Sequence, residues 1–161
     1  MDIWEYAISL EQDGEKYYRE QAEINKNNSL HQVCLILANE ENRHAQLLIQ
    51  RMNEVPVDLI EEDSLFKAER IFKDIDNFKI NGKDIPSQLD FYRFAKEKEE
   101  QSIRLYTNYL SQDINSYEKE LVKYLIHQEQ KHAEILDELA LLLRNGEEWV
   151  ESAEFGNRKE Y

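Results

Sequence analysis

The sequence predicts an all-α protein: a four-helix bundle made of two related helical hairpins, joined by one long crossover that carries a short helix. Three observations predict it. First, only four Gly and two Pro occur in 161 residues, and neither type falls between Glu15 and Val55 or between Ser87 and Asn145. Those two stretches are long enough for helical hairpins and lack the punctuation of sheets. Second, apolar residues recur at helical spacing through both stretches, among charged residues that suit solvated faces. Third, the sequence repeats once. A slide of 88 residues lays Glu11 on Glu99, Tyr18 on Tyr106, Glu41 on Glu129 and His44 on His132. Between Asp2 and Val55 it gives ten identities in 54 positions without a gap, where chance would give about three.

The first helix is expected from about Asp2 to Ile24, ended by the polar cluster Asn25-Lys26-Asn27-Asn28-Ser29. Ser29 is the expected N-cap of a second helix running to about Asn53. A connection follows at about 54–87, bounded by Pro56 and Pro86, with Leu65, Ala68, Phe72 and Ile75 spaced for a short amphipathic helix. An up-down-up-down bundle needs only a few residues there, whereas parallel second and third long helices need a segment that spans the bundle. The third long helix is expected from about Ser87 to Leu110, and Ser111–Ser116 is the matching turn. The fourth should run from about Tyr117 to Arg144, with Asn145-Gly146 as its stop. Residues 1–146 thus read as one domain and 147–161 as a tail. The tail holds Trp149, Val150 and Phe155, suited to folding back on the bundle or to docking on another subunit or assembly.

Composition narrows the function classes. A mass of 19.3 kDa fits one domain that buries a core without disulfides. Lys and Arg total 20 against 34 Asp and Glu, a formal charge of −14, which argues against nucleic acid and anionic membranes as partners. The one cysteine, Cys34, cannot pair within the chain or build a four-cysteine metal site; it reads as a small buried hydrophobe. No apolar run reaches the length of a bilayer span and the N-terminus does not read as a signal peptide, so a cytoplasmic location is expected.

The inward stripes carry polar residues where a core should be. They read Ile3, Ala7, Glu11, Gly14, Tyr18; then Val33, Leu37, Glu41, His44, Leu48; then Phe91, Ala95, Glu99, Ser102, Tyr106; then Val122, Leu125, Glu129, His132, Leu136. Buried carboxylates cost several kcal/mol each unless compensated, and four at one level repel one another. Two divalent cations would balance the four charges, with neutral histidines as nitrogen ligands. Residues three apart share a helix face, so Glu41 with His44, and Glu129 with His132, can reach one metal together. Gly14 and Ser102 are small enough to leave room beside the site. Tyr18 and Tyr106 read either as core tyrosines with satisfied hydroxyls or as residues bonded to a carboxylate or mediating electron transfer. His31, His127, Glu40, Glu97 and Glu100 read as surface residues.

One Glu from each of two helices and a Glu-x-x-His from each of the other two is the pattern of ferritin-like di-iron bundles. With Glu11 and Tyr18, Glu41-Asn42-Arg43-His44, Glu99 and Tyr106, and Glu129-Gln130-Lys131-His132, the chain resembles the rubrerythrin branch of that family over its four helices. The resemblance implies a ferritin-like fold holding two Fe ions, with Mn or Zn also accepted by such ligands. Glu41 and Glu129 would bridge the metals, and Glu11, Glu99, His44 and His132 would be terminal ligands. The implied activity is a non-haem di-iron oxidoreductase that reduces hydrogen peroxide, or oxidises Fe²⁺ with peroxide or O₂. An iron-storage cage subunit and a metal-stapled interaction bundle without redox activity are the alternatives. Many rubrerythrins carry an extra glutamate where this chain has Ser102, and end in a four-cysteine rubredoxin domain that is absent here. Electrons would therefore come from an external donor such as a rubredoxin-type protein. Self-association, as a homodimer, is also expected from the resemblance.

Overall fold

A computed structural model describes residues 2–61, 63–73 and 84–159, with side chains described up to residue 145. Five helices occur in the order α1 (Ile3–Ile24), α2 (Leu30–Met52), α3 (Ser64–Lys73), α4 (Ile85–Leu110) and α5 (Ser116–Lys159), and the described residues contain no strand. None of these helices is long and apolar enough to cross a membrane.

Local chemistry sets the helix ends. Asp2 closes a capping box on α1: its Oδ1 accepts from Glu5 N at 2.8 Å, and its own N–H donates to Glu5 Oε2 at 3.2 Å. The expected cap at Ser29 does not form, because Ser29 already has helical dihedrals and its side chain makes no capping bond. Asn28 does that work instead, with Oδ1 accepting from Leu30 N at 2.9 Å. Asn115 caps α5 by accepting from Glu118 N at 2.8 Å. Helix α4 begins at Ile85 rather than at Ser87, because Pro86 lies within its first turn, where a missing N–H costs nothing. At the other end, Asn145-Gly146 does not stop α5, whose backbone stays helical to Lys159. A glycine inside a helix costs only about 1 kcal/mol, and it ends one only where the chain adopts a left-handed turn. The tail's side chains, and Ile75 of the expected short helix, lie outside the described residues.

The hairpins α1–α2 and α4–α5 pack closely within themselves. Their relative direction follows from side-chain pairs. Tyr18 reaches Glu99 and Tyr106 reaches Glu11, so α1 and α4 run antiparallel. His44 reaches Glu129 and His132 reaches Glu41, so α2 and α5 are antiparallel as well. Helices α2 and α4 are then parallel, as the long crossover requires. Its first part is fastened to the bundle: Tyr124 donates its hydroxyl to Ile60 O at 2.5 Å, and Lys131 Nζ lies 2.5 Å from Glu61 Oε2. Helix α3 then packs on α5 and α2, burying Ala68 and Phe72.

Two apolar clusters form the core. One holds Val33, Leu37, Phe91, Leu136 and Leu139; the other holds Trp4, Leu48, Tyr109, Leu121 and Leu125. Each fully buried Leu or Phe contributes about 1.5–3 kcal/mol, which offsets the cost of the polar layer the bundle also contains. The expected stripe is corrected at its start. Ile3 is 37 % exposed, and Trp4 is buried in its place, stacked on Tyr109 with centroids 5.2 Å apart and covered by the Arg51 guanidinium at 4.2 Å. Cys34 is fully buried, and burial pushes its thiol up to about 12, which leaves it inert.

Candidate metal centre

Glu11, Glu41, His44, Glu99, Glu129 and His132 are all buried, none more than 4 % exposed. They fall into two groups, Glu11, Glu41, His44 and Glu129, and Glu41, Glu99, Glu129 and His132. Within each, one nitrogen or oxygen atom per residue lies within 4.8 Å of the others. Glu41 and Glu129 belong to both groups. The histidine rings lie 5.5 Å apart, tilted by 18°. His44 Nδ1 stands 2.9 Å from Glu129 Oε1 and 3.5 Å from Glu11 Oε2. Across the pseudo-twofold, His132 Nδ1 stands 3.1 Å from Glu41 Oε1 and 3.3 Å from Glu99 Oε1.

The outer carboxylates are held by phenols. Tyr18 donates to Glu99 Oε1 and Tyr106 to Glu11 Oε1, each at 2.6 Å, the short distance of a charge-assisted O–H···O⁻ bond. Both tyrosines are buried and bonded to a carboxylate.

Protons sort themselves within the cluster. Burial, then the charges of Glu11 and Glu99, pushes Glu41 well above the carboxylate range. Burial and the charges of Glu11, Glu41 and Glu99 do the same to Glu129. Burial also works to raise Glu11, but the neighbouring Glu41 carboxyl, the His44 charge and the Tyr106 hydroxyl hold it down to about 2. Glu99 is lowered against burial by the His132 charge and the bond with Glu129. His132 is raised well above its usual value, since the Glu99 charge and bonds with Glu40 and Glu41 overcome burial. The shared pair is thus pushed toward the protonated form and the outer pair toward the charged form.

This distribution fixes a sign. Glu41 and Glu129 are raised above their ordinary 4.5 and His132 above 6.5. Each contributes stability that is complete below that value and is lost as pH climbs through the folded pKa. Glu11 and Glu99 act oppositely, losing their contribution only below pH 4.5. The metal-free chain should therefore melt at lower temperature as pH rises from about 5 to about 8, and cations that displace these protons should flatten that slope. Melting curves with and without a chelator check this; a metal-free Tm that climbs over the interval would contradict it.

A family model described as Rubrerythrin matches residues 2–140. The chain belongs to the rubrerythrin family. No curated protein and no solved structure matches it. Rubrerythrins are di-iron proteins, and the cluster in this chain fits a metal pair on its own chemistry. Four carboxylates match two divalent charges, and Glu11 Oε2 and Glu129 Oε2 are buried without a hydrogen-bond partner, as cations would satisfy them.

Space beside the cluster is also tuned. Gly14, Ser102, Leu10, Tyr18, Glu41 and Glu99 help line a pocket of about 20 Å³, room for roughly one water. A Cβ on Gly14 would stand 2.9 Å from Glu41 Oε2, so any larger residue displaces that carboxylate. Gly14→Ala should gain helix propensity and leave the metal-free Tm unchanged or higher, while weakening metal binding about tenfold. A calorimetric metal titration beside a melting curve separates the two effects; unchanged metal affinity would contradict the reading of Gly14.

Three surface assignments from the sequence need correction, and two hold. Glu40 is 6 % exposed, with Oε2 3.1 Å from His132 Nε2. His31 is half-buried, and its Nδ1 pairs with Ala22 O at 2.7 Å across the first hairpin. His127 and Glu97 are exposed as expected, and Glu100 is half-buried. Glu40 carried a legible signal: Val33, Leu37, Glu40, His44 and Leu47 follow a three-four spacing, and all are buried. Gln128, fully buried, occupies the same place in Leu121, Leu125, Gln128, His132 and Ile135.

Proposed function

We propose that the protein reduces hydrogen peroxide to water at a carboxylate-bridged pair of iron ions, H₂O₂ + 2 H⁺ + 2 e⁻ → 2 H₂O. The supporting observation is that two ligand groups share Glu41 and Glu129, which suits those residues to bridging and Glu11, Glu99, His44 and His132 to terminal positions. When bound, a ferrous pair supplies both electrons to one O–O bond, which avoids the hydroxyl radical of one-electron reduction.

The chain's own residues would prepare that chemistry. Tyr106 holds Glu11 by Oε1, while Oε2 makes no hydrogen bond among the described residues and stands 3.5 Å from His44 Nδ1, so the outer carboxylate has one fixed and one available oxygen. Burial and neighbouring carboxylates push the Glu41 and Glu129 carboxyls well above the usual range, so metal binding there would displace protons. Leu37 and Leu125, both fully buried, keep bulk water from the layer. An external electron-donor protein would re-reduce the pair.

Anaerobic chain loaded with two Fe²⁺ and mixed with peroxide tests this. The expected result is one peroxide consumed per two Fe²⁺, without a spin-trapped hydroxyl radical and faster than with free Fe²⁺. Peroxide consumption no faster than in buffered Fe²⁺ would overturn the proposal.

A further inference from the structure

The two halves of the centre are built from a repeat, yet they differ in one buried contact. Position 41 matches 129, 44 matches 132 and 45 matches 133, but Glu40 is matched by Gln128. Successive helix residues point about 100° apart, so a residue just before a shared glutamate faces the flank of the centre. On one side, Glu40 Oε2 lies 3.1 Å from His132 Nε2, while His132 Nδ1 faces Glu41 and Glu99. On the other side, His44 Nδ1 faces Glu129 and Glu11, but its Nε2 is buried without a hydrogen-bond partner among the described residues. Both side-chain polar atoms of Gln128 are likewise buried and unpartnered.

We propose that Glu40 is a positioning residue that makes the two metal sites unequal, so that the His132 site takes up its cation first and holds it more tightly. The inference rests on the two-metal reading above. An imidazole that donates from Nε2 to a carboxylate has its tautomer fixed, with the Nδ1 lone pair turned to the metal and made more basic. His132 has that support. Among the described residues His44 has neither a carboxylate nor any other hydrogen-bond partner at Nε2, and the repeat offers it only a neutral amide at position 128. The sites are thus alike in the atoms that would touch metal and unlike in what stands behind them.

Anaerobic titration of the metal-free full chain with Co²⁺, followed by its visible bands and by calorimetry, tests the proposal. The native chain should bind two ions in two steps. Repulsion between the cations also separates such steps, so the variants decide. Glu40→Gln should weaken the tighter step by about 10–100-fold. Gln128→Glu should strengthen the weaker step, an outcome that a merely structural role for Glu40 would not produce. Two steps left unmoved by both variants would overturn the inequality while leaving the two-metal reading intact. Failure of the native chain to bind a second Co²⁺ would overturn both.

Discussion

Glu41→Ala and Glu129→Ala are each expected to cut bound iron from two ions per chain to one or none, and to lower peroxide reduction by more than about 100-fold. Loss of a group that merely supports a ligand costs about 10–100-fold in metal affinity, and each of these residues belongs to both ligand groups. One substitution therefore damages two sites. Glu11→Ala and Glu99→Ala each touch a single group and should leave one ion in place. The contrast between the shared and the outer pair is the informative feature. It separates bridging from general disruption of the core, because all four residues are equally buried. Metal analysis after anaerobic loading and desalting, beside single-turnover peroxide kinetics, checks it. Equal losses for all four variants would contradict the bridging geometry.

Metal loading should also produce the largest change in stability. A ligand that binds only the folded chain at 1,000 times its Kd stabilises by about 4 kcal/mol per site. For a chain of this size, 1 kcal/mol moves Tm by roughly 2–4 °C. Filling even one site is therefore expected to raise Tm by roughly 8 °C or more. The physical source is the same polar layer: cations replace repulsion among Glu11, Glu41, Glu99 and Glu129 with attraction. Scanning calorimetry with Fe²⁺ or Mn²⁺ under argon, and again after chelation, measures the shift. A Tm that does not respond to metal would mean that the cluster is satisfied by protons alone.

The helices and their pairing were legible because periodic apolar stripes and helix breakers act locally, and because the repeat doubles each signal. The six centre residues were legible for the same reason: they stand at matched positions on stripes otherwise apolar. Cooperative choices were not. Whether Ile3 or Trp4 faces inward depends on a stacking partner, Tyr109, that lies far along the chain. Whether Ser29 or Asn28 caps α2 depends on the turn's dihedrals. Glu40 was read as solvated because an acid beside a ligand looks like the start of the polar face. Its three-four spacing with Val33, Leu37, His44 and Leu47 marks it for burial, but the partner, His132, comes from α5 and is not visible along the chain.

The most direct test is anomalous diffraction at the iron edge from crystals of the Fe²⁺-loaded chain. Two peaks per chain inside the bundle, both touching Glu41 and Glu129, with one near Glu11 and His44 and the other near Glu99 and His132, are the predicted result. Peaks confined to the acidic surface, or none between α2 and α5, would contradict the account.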